Sequence, residues 1–137
     1  MSRDSKVILT TMTMIYRDDG SFLVQDRLKN DWPGINFPGG HVEDEESVEE
    51  GAIREILEET GLIIDNLEEA GHMEWNLPTE KVRHLCILFR TNHYKGEIKE
   101  SEEGPIFWVK KTDLPSYNLS LDFDKVLKIV SDGIEIK

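Results

Sequence analysis

The sequence predicts an α/β fold: a sandwich built around a mixed β-sheet, in one domain over residues 1–137. Three observations predict it. Apolar, β-branched runs return on themselves across turn chemistry, a capped helix interrupts them near the middle of the chain, and an amphipathic helix closes it. With 38% hydrophobic residues in 137, the chain can fill one core and not two.

The elements follow in order. Val7 to Tyr16 reads as a strand, Arg17-Asp18-Asp19-Gly20 as a turn, and Phe22 to Gln25 as the returning strand. Asn30 to Gly40 holds two prolines and three glycines and reads as loop. Ser47 to Thr60 reads as a long helix, with Ser47 and Glu50 in the S-x-x-E capping pattern and Gly61 where a left-handed stop residue belongs. Glu69 to Trp75 and Val82 to Thr91 read as strands, turned by Asn76-Leu77-Pro78-Thr79, and Ile106 to Val109 as a short one. Phe123, Val126, Leu127 and Val130 recur at helical spacing, which predicts an amphipathic helix over Asp122 to Val130. There is no internal repeat and no low-complexity linker.

Composition narrows the function classes. The formal net charge is -12, which argues against a nucleic-acid polymer as partner, since that binding runs on Lys and Arg. A small phosphorylated ligand stays open, because a divalent cation can bridge acid to acid. The single cysteine, Cys86, lies in an apolar run and reads as core; no intrachain disulfide can form, which fits a reducing cytoplasm. The N-terminal residues show no signal peptide and no segment has transmembrane length, so the expectation is a cytoplasmic protein without a membrane partner.

The middle helix carries the chemistry. At about 100° per residue, Ala52, Ile53, Ile56 and Leu57 share one side and Glu55, Glu58 and Glu59 another. Acids three and four residues apart repel by a few tenths of a kcal/mol, roughly, and Glu58 and Glu59 also sit at the dipole's negative end. Arg54 is the only basic residue in the helix and can offset part of this by reaching Glu58 or Glu50. A divalent cation would reverse the sign of the repulsion, and hard oxygen ligands suit magnesium or manganese. An acid-rich solvated face would look the same at this point.

The spacing goes further. From Gly40 the chain runs through five residues to Glu46, then seven more to Arg54-Glu55-Ile56-Leu57-Glu58-Glu59-Thr60-Gly61-Leu62. This resembles the Nudix box over 40–62, G-x5-E-x7-R-E-U-x-E-E-x-G-U, at every defined position. Asn36-Phe37-Pro38-Gly39-Gly40 is similar to the family's approach to the box. The resemblance implies an α/β/α sandwich with the box helix and the C-terminal helix packed on the sheet. It implies magnesium as cofactor, with manganese a possible substitute. The metal ligands it implies are Glu55, Glu58 and Glu59 with the Gly39 carbonyl. Glu46 and Arg54 fit supporting roles, and Gly40 allows close backbone approach.

The implied reaction is hydrolysis of a phosphoanhydride in a nucleoside diphosphate derivative. A nucleoside triphosphate giving monophosphate and pyrophosphate is the leading case, and oxidised purine nucleotides are a candidate class from the MutT-like look of the approach. ADP-ribose, a nucleotide sugar or a dinucleoside polyphosphate is the alternative substrate class, and a nucleotide sensor without turnover is another. Candidates for the general base are Glu58, Glu55, Glu102 and Glu103. For the rest of the substrate the candidates are Asn36 for a purine edge, Trp32, Trp75 or Trp108 for stacking, Asp122, and Arg27 with Lys29 for phosphate. Each tryptophan could instead be core, and Asp122 a helix cap. His41 follows the glycine pair and could touch substrate. The partner expected is a small nucleotide, with the chain a monomer or homodimer.

Overall fold

A computed structural model describes residues 3–77, 81–99 and 101–137. Its strands are β1 Lys6–Ile15, β2 Phe22–Arg27, β3 Gly34–Asn36, β4 Gly39–His41, β5 Ile63–Asp65, β6 Glu68–Leu77, β7 Val82–Thr91, β8 His93–Lys95 and β9 Ile106–Val109. Its helices are α1 Val48–Thr60 and α2 Phe123–Val130, with a 3-10 turn at Lys111–Ser116.

Strand order is β4-β1-β7-β6 in one sheet, β3-β2-β9 in a second and β5-β8 in a third. The long β1 and β7 run parallel in register from Lys6 opposite Val82 to Ile15 opposite Thr91. Their neighbours β4 and β6 are antiparallel, so the main sheet is mixed.

Strand side chains alternate between faces, and here both faces are covered. Met14 and Cys86 join Phe22, Val24 and the α2 residues Phe123, Val126, Leu127 and Val130 in one core. Ile15 and Leu23, one residue out of phase, join Ile56 of α1 with Leu62, Ile64 and Ile106 in another. Two helices on opposite faces of mixed strands make the α/β/α sandwich. Among the described residues no helix is long and apolar enough to cross a membrane.

Helix α1 starts and stops as its sequence dictates. Glu50 N donates to Ser47 Oγ at 3.1 Å, and Ser47 N donates to Glu50 Oε1 at 3.0 Å. Gly61 ends it at φ +83°, its N–H donating to the Leu57 carbonyl. Ala52 and Ile56 are fully buried, whereas Leu57, at the far margin of the apolar face, is 49% exposed.

Three expectations change. The stretch Asn30 to Gly40 is not all loop, because β3 and β4 form within it, each three residues long and too short to show a period. Asn76 and Leu77 extend β6 and do not belong to a turn, while Pro78 and Thr79 lie outside the described residues. Strands β5 and β8 pair through Ile64 and Tyr94 where no strand was expected, again at three residues each.

Candidate active site

A cleft of about 360 Å³ opens between β1, β4, the acidic side of α1 and the ends of β6 and β7. One end is acidic, walled by Glu55, Glu58, Glu59 and Glu103; the other is aromatic, walled by Trp32, Trp75 and His84.

The helix grades its acids by their angle to the core. Glu55 is 13% exposed and Glu58 56%. Burial raises the pKa of Glu55 against the pull of Arg54, and the charges of Glu58 and Glu103 add to the rise. Burial also raises Glu59, with the charge of Glu103 next in size.

Arg54 stands behind this wall. Its Nη2 lies 2.7 Å from Glu46 Oε1 and its Nε 3.0 Å from Glu46 Oε2. Its Nη1 donates to Glu55 Oε1 and Glu58 Oε2, both at 3.0 Å, and its Nη2 to the His41 carbonyl at 2.9 Å. These bonds hold the guanidinium charged and keep the Glu46 carboxyl below its ordinary value. Glu50, the other partner considered for Arg54, is engaged in the helix cap instead.

The glycine pair makes the space. A side chain at Gly40 would begin 2.4 Å from Glu55 Oε2, and one at Gly39 would begin 1.9 Å from the Thr11 carbonyl oxygen. The donors at this end are all carboxylate and carbonyl oxygens, which fit magnesium or manganese. Among the described residues, no three His, Cys, Asp or Glu side chains are already gathered at ligand spacing. Arg54 occupies oxygens of Glu55 and Glu58.

At the aromatic end Trp32 and Trp75 meet edge to face with centroids 5.1 Å apart, and His84 packs 5.6 Å from Trp75. Trp75 Nε1 donates to Asp122 Oδ2 at 2.8 Å, which also lowers the Asp122 pKa. The Trp32 indole N–H is buried with no partner. His84, whose pKa burial lowers, shares a 3.0 Å hydrogen bond with Thr10 Oγ1.

The cleft therefore gathers Glu55, Glu58, Glu59, Glu103, Gly39, Gly40, Asn36, Arg27, Trp32 and His41 from the sequence reading. Asn36 is already engaged at both ends of its amide, donating to the Trp32 carbonyl at 3.2 Å and accepting from Ser120 Oγ at 2.8 Å. Arg27 and Lys29 meet Glu103 at 3.4 and 3.2 Å.

Other candidates fall elsewhere. Glu102 is exposed and does not line the cleft. Trp108 lies on the α1 side of β9, with the Arg17 guanidinium 4.0 Å from its ring and Tyr94 5.3 Å away, so it is not placed to stack on a ligand in the cleft. Asp122 is outside the lining and reaches the cleft through Trp75. The sequence reading missed Gln25, a polar residue closing the apolar run Phe22–Val24, and Ser101, two residues before Glu103; both touch the acidic end.

The NUDIX domain family matches residues 7–128. The chain is similar to the oxidized purine nucleoside triphosphate hydrolase of Mus musculus, 34% identical over 64% of this chain and 54% of that protein. It thus spans about half the length of that relative. It is also similar to the ADP-ribose pyrophosphatase of Methanocaldococcus jannaschii, 33% identical over 83% of this chain and 68% of that one. In fold it is similar to the MutT NUDIX hydrolase from Burkholderia pseudomallei, with a TM-score of 0.80 and 22% identity over 92% of this chain and 99% of that chain.

Proposed function

The chain belongs to the Nudix family, and from that premise we propose that it hydrolyses a nucleoside triphosphate to the monophosphate and pyrophosphate with magnesium as cofactor. Purine nucleotides, oxidised ones included, are the substrate class. The observation that carries this reading is the polarity of the cleft, with carboxylates at one end and two tryptophans at the other.

Each end has its task. Glu55, Glu58, Glu59 and the Gly39 carbonyl would hold magnesium, which would supply charge screening at the phosphates and a more acidic water. Arg54 keeps Glu55 and Glu58 aimed, and Glu46 keeps Arg54 aimed. Arg27 and Lys29, now paired with Glu103, are within reach of an arriving phosphate at the same wall. Glu103 takes the proton of the attacking water, since it stands in the cleft on a separate loop from the helix acids. Water adds to one phosphorus, the bridging oxygen leaves with the other phosphate, and Glu103 holds the proton released. Trp32 and Trp75 hold the base.

A second reading, cleavage of ADP-ribose or a related nucleoside diphosphate derivative, draws on the similarity to the archaeal ADP-ribose pyrophosphatase. A substrate panel with magnesium separates the two. Pyrophosphate released from purine triphosphates, with 8-oxo-dGTP preferred, supports the first; monophosphates released from ADP-ribose support the second. Magnesium-tightened binding with nothing consumed would replace both with a sensor.

A further inference from the structure

Glu103 sits in a four-residue turn that could tilt away from the helix acids, and two side chains outside the box hold it. Gln25, 4% exposed on β2, donates from Nε2 to Ser101 Oγ at 2.9 Å, with the Gly104 carbonyl oxygen at 3.4 Å. Ser101 Oγ in turn donates to Glu59 Oε2 at 3.3 Å and accepts from Glu103 N at 3.3 Å. One hydroxyl thus touches the strand, the helix acid and the backbone of Glu103.

The turn has no slack. Asp26 N donates to the Pro105 carbonyl at 2.9 Å and Leu28 N to the Glu103 carbonyl at 3.0 Å. Gly104, at φ +143°, passes so close to β2 that a Cβ would begin 1.9 Å from the Asp26 carbonyl oxygen. Gln25 ends a buried run of β2, and a buried amide is costly unless it is hydrogen-bonded.

We infer that Ser101, oriented by Gln25, is a positioning residue that fixes the distance between Glu103 and Glu59. This rests on the proposed hydrolase reading, in which Glu103 accepts a proton beside an acid that grips the cation. Losing the hydroxyl frees the turn to shift by a fraction of its hydrogen-bond length, and misplacement of a reacting group on that scale costs up to about a hundredfold in rate. The contacts of the nucleotide's base, at the other end of the cleft, are left alone.

The experiment compares wild type with Ser101→Ala, Ser101→Thr, Gln25→Leu, Glu103→Gln and the Ser101→Ala/Glu103→Gln double variant. Steady-state kinetics on the triphosphate are read beside amide hydrogen exchange at Glu103. Ser101→Ala is expected to lower kcat about tenfold to a hundredfold with KM within about threefold, and Ser101→Thr to restore most of it. In the Glu103→Gln background Ser101→Ala is expected to change kcat by less than about twofold, because the two act through one group. The Glu103 amide should exchange faster in Ser101→Ala. Full turnover by Ser101→Ala, or losses that multiply in the double variant, overturns the positioning role while leaving the hydrolase standing. A wild type that consumes no triphosphate overturns the hydrolase reading. An exchange rate at Glu103 unmoved by Ser101→Ala overturns the positioning role whatever the activity.

Discussion

Arg54 and Glu46 form a two-point ion pair, Nη2 to Oε1 at 2.7 Å and Nε to Oε2 at 3.0 Å, and this pair aims the remaining N–H groups of Arg54 at Glu55 and Glu58. A fork of this kind is a property of guanidinium and not of ammonium. Arg54→Lys keeps the charge and loses the fork. The expected result is a fall in turnover of about a hundredfold or more, with the fold intact by circular dichroism. Activity within about threefold of wild type would mean that the acids aim themselves.

The two glycines of the approach predict different phenotypes. Alanine at position 39 meets backbone, the Thr11 carbonyl at 1.9 Å, so β4 must move away from β1. Gly39→Ala is therefore expected to lower the melting temperature. Alanine at position 40 meets the Glu55 carboxylate first, at 2.4 Å, and that side chain can swing. Gly40→Ala is expected to keep its melting temperature while losing turnover. Thermal melts and a single-substrate assay on both variants decide this; the same phenotype from both would contradict it.

How much of this the sequence announces depends on how far the cause lies along the chain. Helix α1 and its cap are written in neighbouring residues, and so are its acids, so Ser47, Glu50, Glu55, Glu58, Glu59 and Gly61 can be read directly. Strands β3, β4, β5 and β8 are three residues each; β3 and β4 form on the longer β2 and β1, and β5 and β8 form on each other across about thirty residues of chain. Nothing local marks them. That Glu103 and not Glu102 lines the cleft depends on strand β2, 76 residues earlier, through Arg27 and Gln25. Trp108 fails as a stacking candidate for a similar reason. Its face of β9 is set by register, with Trp108 opposite Leu23, and that register points it at the α1 side.

The Trp75–Asp122 bond links α2 to the aromatic end of the cleft. Asp122 holds φ +62° at the start of α2, a left-handed conformation that aspartate tolerates better than most residues. Asp122→Ala frees the indole, and KM for a purine triphosphate is expected to rise roughly fivefold, the equivalent of one ordinary hydrogen bond, with kcat little changed. Trp75→Ala should raise KM by roughly tenfold or more through lost stacking. A kcat effect without a KM effect in either variant would remove Trp75 from the base site.

Metal-free stability carries a pH signature. The raised pKa of Glu59 means that, above its ordinary value of 4.5, the folded protein holds a proton there that the unfolded chain has released. Stability therefore falls as pH rises through that window. The lowered pKa values of Glu46 and Asp122 act oppositely, their contribution being lost as pH falls below the ordinary carboxylate range. Glu59→Gln removes the first effect alone. Melts in chelator, taken from about pH 4.5 to about pH 8, should show the variant gaining on wild type as pH rises. A constant offset would deny that burial and Glu103 strain this carboxylate.

Most directly at stake is whether the α1 acids, two of them joined through Arg54, close around a cation that grips a diphosphate. Crystals grown with manganese and a non-hydrolysable purine triphosphate test it through the anomalous signal of the metal. The expected result is a manganese peak in contact with Glu55, Glu58 or Glu59 and with phosphate oxygens of the nucleotide, with the base against Trp32 and Trp75. Nucleotide bound in the cleft with no metal peak at these carboxylates would contradict it.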